Sequence, residues 1–104
     1  MLTLSIRYTL DANKLAEFEA YAKALARPLE RCGGKLVAYY LPTKIAGPTN
    51  QALGLIDFTD LASYERYRAN LLRDEEAAAC LKRVEEVGAI LVEDRAFIRR
   101  VGAS

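Results

Sequence analysis

A chain without histidine must carry out any proton transfer near neutral pH with a carboxylate or a lysine whose pKa is strongly shifted. Asp57 is the one carboxylate set inside an otherwise apolar, strand-like stretch, Gln51 to Phe58, which makes it the only candidate base. Arg7 occupies the polar phase of another strand-like stretch. On adjacent central strands the two would come within salt-bridge reach. The guanidinium would then hold a ligand carboxylate in a bidentate fork while Asp57 orients it. The competing reading is a structural ion pair at an interface, because buried charges need partners. Tyr39 and Tyr40 are consecutive on a strand and point to opposite faces, so one hydroxyl can enter a cavity, with core packing as the alternative. The loop from Pro42 to Asn50 offers backbone and amide groups, Asn50 among them, to a polar ligand, or is a plain connector. Spacing assembles neither a nucleophile beside a base nor a close carboxylate pair, so no catalytic residue is assigned. Cys32 and Cys80 are too few and too far apart for a disulfide framework or a metal site, and read as small hydrophobes.

Composition removes further classes. The 15 basic and 14 acidic residues give a net charge of +1 and are interspersed, which is no footprint for nucleic acid. No apolar run reaches the roughly 18 residues of a membrane span, and no signal-peptide pattern opens the chain, so the expected address is the cytoplasm. A single domain over residues 1–104 is expected. Such a domain buries roughly 65% of its unfolded surface, a thin margin that association would improve.

The elements that must position these residues follow from hydrophobic period. Leu2, Leu4, Ile6, Tyr8 and Leu10 alternate with Thr3, Ser5, Arg7 and Thr9, the pattern of a strand with one apolar face. Asp11 is the expected cap of a helix whose stripe is Leu15, Phe18, Ala22, Leu25 and Leu29, with a kink or break near Pro28 and an end at Gly33 and Gly34. Lys35 to Leu41 and Gln51 to Phe58 are strands. Thr59 or Asp60 caps a helix striped by Leu61, Tyr64, Tyr67 and Leu71. Asp74 caps another striped by Ala77, Cys80, Leu81, Val84 and Val87, which stops at Gly88. Ile90 to Val101 is the last strand. Its Glu93, Asp94, Arg95, Arg99 and Arg100 read as charge defending a sheet edge, with a ligand role for Arg95 as the alternative. Tyr8, Tyr64 and Tyr67 read as core.

This order is α+β: a ferredoxin-like βαββαβ half-barrel with a four-stranded antiparallel sheet in the order 4-1-3-2 and helices on one face. The third strand reads apolar in both phases, which predicts sheet-on-sheet association of two copies, a homodimer forming an α/β barrel.

Arg7, Tyr8 and Thr9 followed by Lys14, Leu15, Glu17 and Phe18 resemble the opening motif of the NIPSNAP family. The run from Phe58 to Arg68 resembles its strand-to-helix signature, and Gly34, Tyr39 and Tyr40 extend the likeness over nearly the whole chain. Asp11, Ala12 and Asn13 depart from the Pro-Gly that many members place before the lysine. The resemblance implies a homodimer built from two four-stranded sheets and implies no reaction. No cofactor is expected, since haem would lack its usual axial histidine. The functional expectation is a homodimeric module binding a small organic ligand or a partner between the sheets. The alternative is a cofactor-independent monooxygenase- or isomerase-like enzyme that holds a small acidic or phenolic substrate with Arg7 and a tyrosine.

Overall fold

A computed structural model of the chain describes residues 1–102. Seven elements follow one another: β1 (Leu2–Leu10), α1 (Leu15–Arg31), β2 (Lys35–Tyr40), β3 (Gln51–Phe58), α2 (Leu61–Arg73), α3 (Glu75–Val87) and β4 (Ile90–Ile98). The strands form one antiparallel sheet in the order β2-β3-β1-β4, as the pattern predicts. The expected barrel is not there. The sheet is open, with β2 and β4 as its edges. The molecule measures 37 × 36 × 19 Å, the thickness of one sheet and one helical layer at about 10 Å each. The physical reason is the strand count: four strands with ordinary twist leave a sheet open, whereas the smallest side-chain-filled barrels need about eight.

The core lies between sheet and helices. The apolar phase of β1, Leu4, Ile6, Tyr8 and Leu10, is buried there beside Ala52, Ile56 and Phe58 of β3. Phe18, Leu25 and Leu29 of α1 come down on them, with the Phe18 ring 4.8 Å from that of Tyr8. Sealing a side chain of that size from water contributes roughly 1.5 to 3 kcal/mol. Two glycines allow the layers to close. A Cβ on Gly34 would stand 3.0 Å from both Ile56 and Leu29, and one on Gly54 only 2.8 Å from the Tyr39 ring.

Local chemistry corrects several boundaries. Asp11 does not cap α1: its carboxylate accepts from Asn13 N at 2.9 Å in a tight turn, and the helix starts at Leu15, after Lys14. Lys14 instead donates to the carbonyl of Val87 at 2.6 Å, tying the start of α1 to the end of α3. Pro28 does not break the helix, and α1 runs on to Arg31. The carbonyl that Pro28 cannot satisfy belongs to Ala24, which is exposed and can be hydrated. Strand β2 ends one residue early, before Leu41, and β4 ends at Ile98 rather than Val101. Ile98 pairs with Thr3 at the start of β1, beyond which little partner strand remains.

Asp60 caps α2 by accepting from Ser63 N at 2.8 Å. Asp74 ends α2 and caps α3, accepting from Ala77 N at 3.0 Å. The same carboxylate takes a two-pronged hydrogen bond from Arg31, at 2.9 Å from Nε and 2.8 Å from Nη2, and Nη2 also reaches Glu76 at 3.0 Å. The Arg31 fork and the helix N-terminus together hold the Asp74 pKa down at about 2. A depressed folded-state value stabilises the fold above the unfolded pKa of about 4, and this contribution is lost as pH falls toward the folded value. The melting-temperature difference between wild type and Asp74→Asn is therefore expected to be full at pH 6 and to vanish on approaching pH 2. A difference independent of pH would show that the carboxylate charge is not what joins α1 to α3.

Candidate functional site

The register separates Arg7 from Asp57. Arg7 stands opposite Leu53, while Asp57 stands opposite Thr3, four residues along the strand or about 13 Å. Both lie on the face away from the helices, as their phases predict, but they do not pair. Asp57 is buried and its Oδ1 accepts from the Thr3 hydroxyl at 2.5 Å. Arg7 is exposed and makes no salt bridge among the described residues; its cross-strand neighbour on β4 is Asp94. Neither strand is joined to the other by a short turn, so nothing local specifies which residues face each other.

Tyr39 and Tyr40 do point to opposite faces. Tyr39 packs beneath the helices, 6.4 Å from Tyr8 and 6.3 Å from Phe18, ring to ring. Tyr40 is 54% exposed on the other face, opposite Leu53. Asn50 is occupied structurally: its carbonyl accepts from Leu10 N at 2.7 Å and its amide donates to the Leu10 carbonyl at 3.2 Å, closing the end of the β1 and β3 pairing. The sheet face that would line a cavity between two copies is uncovered in the single chain.

A partly open pocket lies on the other side. A cavity of about 150 Å³ lies between the sheet and the helices, walled by Leu4, Ile6, Leu25, Ile56, Leu71 and Leu81. Its polar lining is Tyr8, Tyr21, Tyr39, Tyr67, Arg68 and Arg95. Each arrives from a different constraint. Tyr8 belongs to the buried phase of β1, Tyr21 and Tyr67 to the inner faces of α1 and α2, and Tyr39 to the inward phase of β2. Arg95 stands opposite Ile6 and Glu93 opposite Tyr8, so both share the helix side of β4 with Phe97, whose ring meets Tyr64 edge to face at 4.9 Å. Arg95 donates through Nε to Glu93 Oε2 at 3.1 Å, and Nη2 lies 3.1 Å from the same oxygen. Arg68, on the exposed side of α2, donates to the Tyr64 hydroxyl at 3.2 Å.

Burial pushes all four tyrosine pKa values up, chiefly because a phenolate would lose its hydration there. Neighbouring tyrosines and Glu93 add to the rise at Tyr8 and Tyr21. At Tyr39 a hydrogen bond with the Tyr8 hydroxyl works against it. Burial opposes the charge of Arg95, but the Glu93 carboxylate outweighs it and the guanidinium pKa is raised. At neutral pH the site thus presents neutral hydroxyls beside one ion pair. No buried side-chain oxygen or nitrogen among the described residues is left without a partner, so hydroxyls not bonded within the chain reach accessible space. Such a lining can donate hydrogen bonds to an oxygen atom and accept one in return. No group of three or more potential metal ligands exists among the described residues.

Glu93 and Tyr21 carry no distinguishing mark of composition, and Arg95 reads first as edge charge. The available signal is parity: Glu93, Arg95 and Phe97 share one phase of β4, against Val92, Asp94, Ala96 and Ile98 on the other.

Fold and site together define a two-layer α+β module, a split βαβ sheet with a tyrosine- and arginine-lined cavity beneath its helices. The chain belongs to the NIPSNAP family, whose model matches residues 4–104. It is similar to Atu4242 of Agrobacterium tumefaciens, with 20% identity, 95% of this chain and 92% of that one covered, and a TM-score of 0.83. An uncharacterised NIPSNAP domain protein of Burkholderia xenovorans shares 18% identity over 97% of this chain and 95% of its own, with a TM-score of 0.79. SnoaB of Streptomyces nogalater, a cofactor-independent oxygenase, shares 17% identity over 98% and 94%, with a TM-score of 0.68. None of the curated proteins matches the chain. At these identities the structural likenesses establish the fold alone.

Proposed function

We propose that this protein is a homodimeric module that binds a small organic molecule in the cavity between its sheet and its helices. The observation that carries the reading is the convergence of three buried tyrosines, the half-buried Tyr39 and Arg95 on one apolar-walled space. Small-molecule sites are mostly apolar with a few convergent polar groups, and this one has that composition. Its volume sets the scale: an apolar cavity of about 150 Å³ accommodates a single aromatic ring. This site takes the place of the inter-sheet location and of the pairing of Arg7 with Asp57, and of the residues singled out in the sequence Tyr39 and Arg95 line it. Whether a bound molecule is also transformed is the second reading, favoured by the fold shared with a cofactor-independent oxygenase and by Glu93, a carboxylate beside the tyrosines.

Dimerisation is supported by the uncovered sheet face and β4. Tyr40 and Ile98 are about half exposed there, Leu53 and Leu55 are partly exposed, and Val92 is 48% exposed on the same side. These apolar side chains flank the polar row of β1 on the open face, and exposed apolar groups rimmed by polar ones mark an interaction site. No helix is long and apolar enough to cross a membrane, and a cytoplasmic address is part of the proposal.

Sedimentation at micromolar concentration is expected to show a dimer, which Leu55→Asp weakens at least tenfold; a monomeric wild type contradicts the dimer. Single-ring aromatic compounds at ten times their dissociation constant are expected to raise the melting temperature on the order of 5 °C. Leu71→Trp, which fills the cavity from its half-buried wall, is expected to abolish that shift while the protein stays folded. Shifts that survive the substitution would place the ligand elsewhere.

A further inference from the structure

Two arginines border the cavity and, among the described residues, no carboxylate does. Arg68 comes from α2 and Arg95 from the edge strand β4. Tyr64 brings them to the same side of the space. Its hydroxyl accepts from Arg68 Nη1 at 3.2 Å, and its ring meets that of Phe97 at 4.9 Å, two residues beyond Arg95 on the same face of β4. The end of the cavity between α2 and β4 is therefore positively charged.

Neither guanidinium has spent all its donors. Arg68 forms no ion pair among the described residues, and its Nε and Nη2, the edge suited to a two-pronged contact with a carboxylate, have no hydrogen-bond partner there. Arg95 gives Nε and Nη2 to Glu93, which holds the guanidinium in place from outside the lining, and Nη1 keeps its N–H groups. Both arginines are exposed, so an anion set between them keeps part of its hydration and no charge is buried. Exposure also makes each attraction modest, and selection rests on the two acting on one group.

The inner part of the cavity is different. Burial keeps the hydroxyls of Tyr8, Tyr21, Tyr39 and Tyr67 protonated, so they add no negative charge, and Leu4, Ile6 and Ile56 offer an apolar wall. A molecule that matches both parts has an apolar ring at one end and an anionic group at the other. Resting on the reading of this cavity as a ligand site, we propose that it takes single-ring aromatic carboxylates, with Arg68 and Arg95 as the residues that select them over neutral rings of the same size.

Benzoate and benzamide have nearly the same shape and differ in charge at pH 7, since a carboxyl group titrates near pH 4. The test is calorimetric titration of the full chain with both. Wild type is expected to bind benzoate at least about fivefold more tightly than benzamide, and Arg68→Gln to narrow that ratio at least about twofold with little change in benzamide affinity. Equal affinities in wild type, or tighter binding of benzamide, overturn the inference without need of any variant. So does a benzoate preference that neither Arg68→Gln nor Arg95→Gln reduces. The cavity is tested separately by Leu71→Trp. Loss of both probes in that variant supports the cavity as the ligand site, whichever probe the wild type prefers. Benzoate binding that survives Leu71→Trp places the anion on an outer surface and overturns the cavity reading and the inference together, as does binding of neither probe to wild type.

Discussion

The register between β1 and β4 is the constraint on which the site depends. Because successive strand residues point to opposite faces, pairing Tyr8 with Glu93 and Ile6 with Arg95 obliges both charged side chains to share the face of the buried tyrosines. A slip of one residue would exchange them for Val92, Asp94 and Ala96 and turn the cavity edge from an ion pair into a largely apolar strip. The pairing holds from Thr3 to Thr9 and shifts only at Thr9 and Leu10, beyond the site. The strand that carries the charges is an edge, and its exposure gives the guanidinium and carboxylate water on one side and the tyrosines on the other.

The helical layer supplies the roof, and its geometry follows from three contacts. Arg31 on Asp74 fixes the end of α1 to the break between α2 and α3. Lys14 on the Val87 carbonyl fixes the start of α1 to the end of α3. Gly54 lets the Tyr39 ring approach the sheet, where a Cβ would stand only 2.8 Å from it. With the roof held at both ends and the floor set by β1 and β3, the space between is left to the tyrosine hydroxyls, Arg95 and the aliphatic walls. Burial then keeps those hydroxyls protonated, so the chemistry of the space is that of a hydrogen-bonding surface with one compensated ion pair.

Most of the fold was legible in the sequence. The strict alternation of Leu2 to Leu10, the caps at Asp60 and Asp74 and the stop at Gly88 are local signals, and each appears in the structure where its chemistry puts it. Strand order was legible because two helical crossovers returning to one antiparallel sheet allow few alternatives. Asp11 misled because a four-residue turn competes with capping for the same carboxylate. The barrel was an inference from the apolar phases of β3, which were read as calling for a second sheet; the chain itself shows one open sheet of four strands. The site was less legible, for a different reason. Arg7 and Asp57 share a face as their phases require, but their separation along the strands is a matter of long-range register, which no turn residue encodes. Tyr21 and Arg95 fall on periodic positions like those of their neighbours, and only the packing of separate elements reveals that they face one space.

The central claim is that the ligand space lies beneath the helices and not on the uncovered sheet face. A crystal structure of the protein grown with a single-ring phenol tests it directly. The account predicts a ring between Tyr39 and Arg95, with its hydroxyl within about 3 Å of Arg95 or a tyrosine oxygen. A phenol found only against Arg7, Tyr40 or Leu55 on the opposite face, with unoccupied space beneath α2, would contradict it.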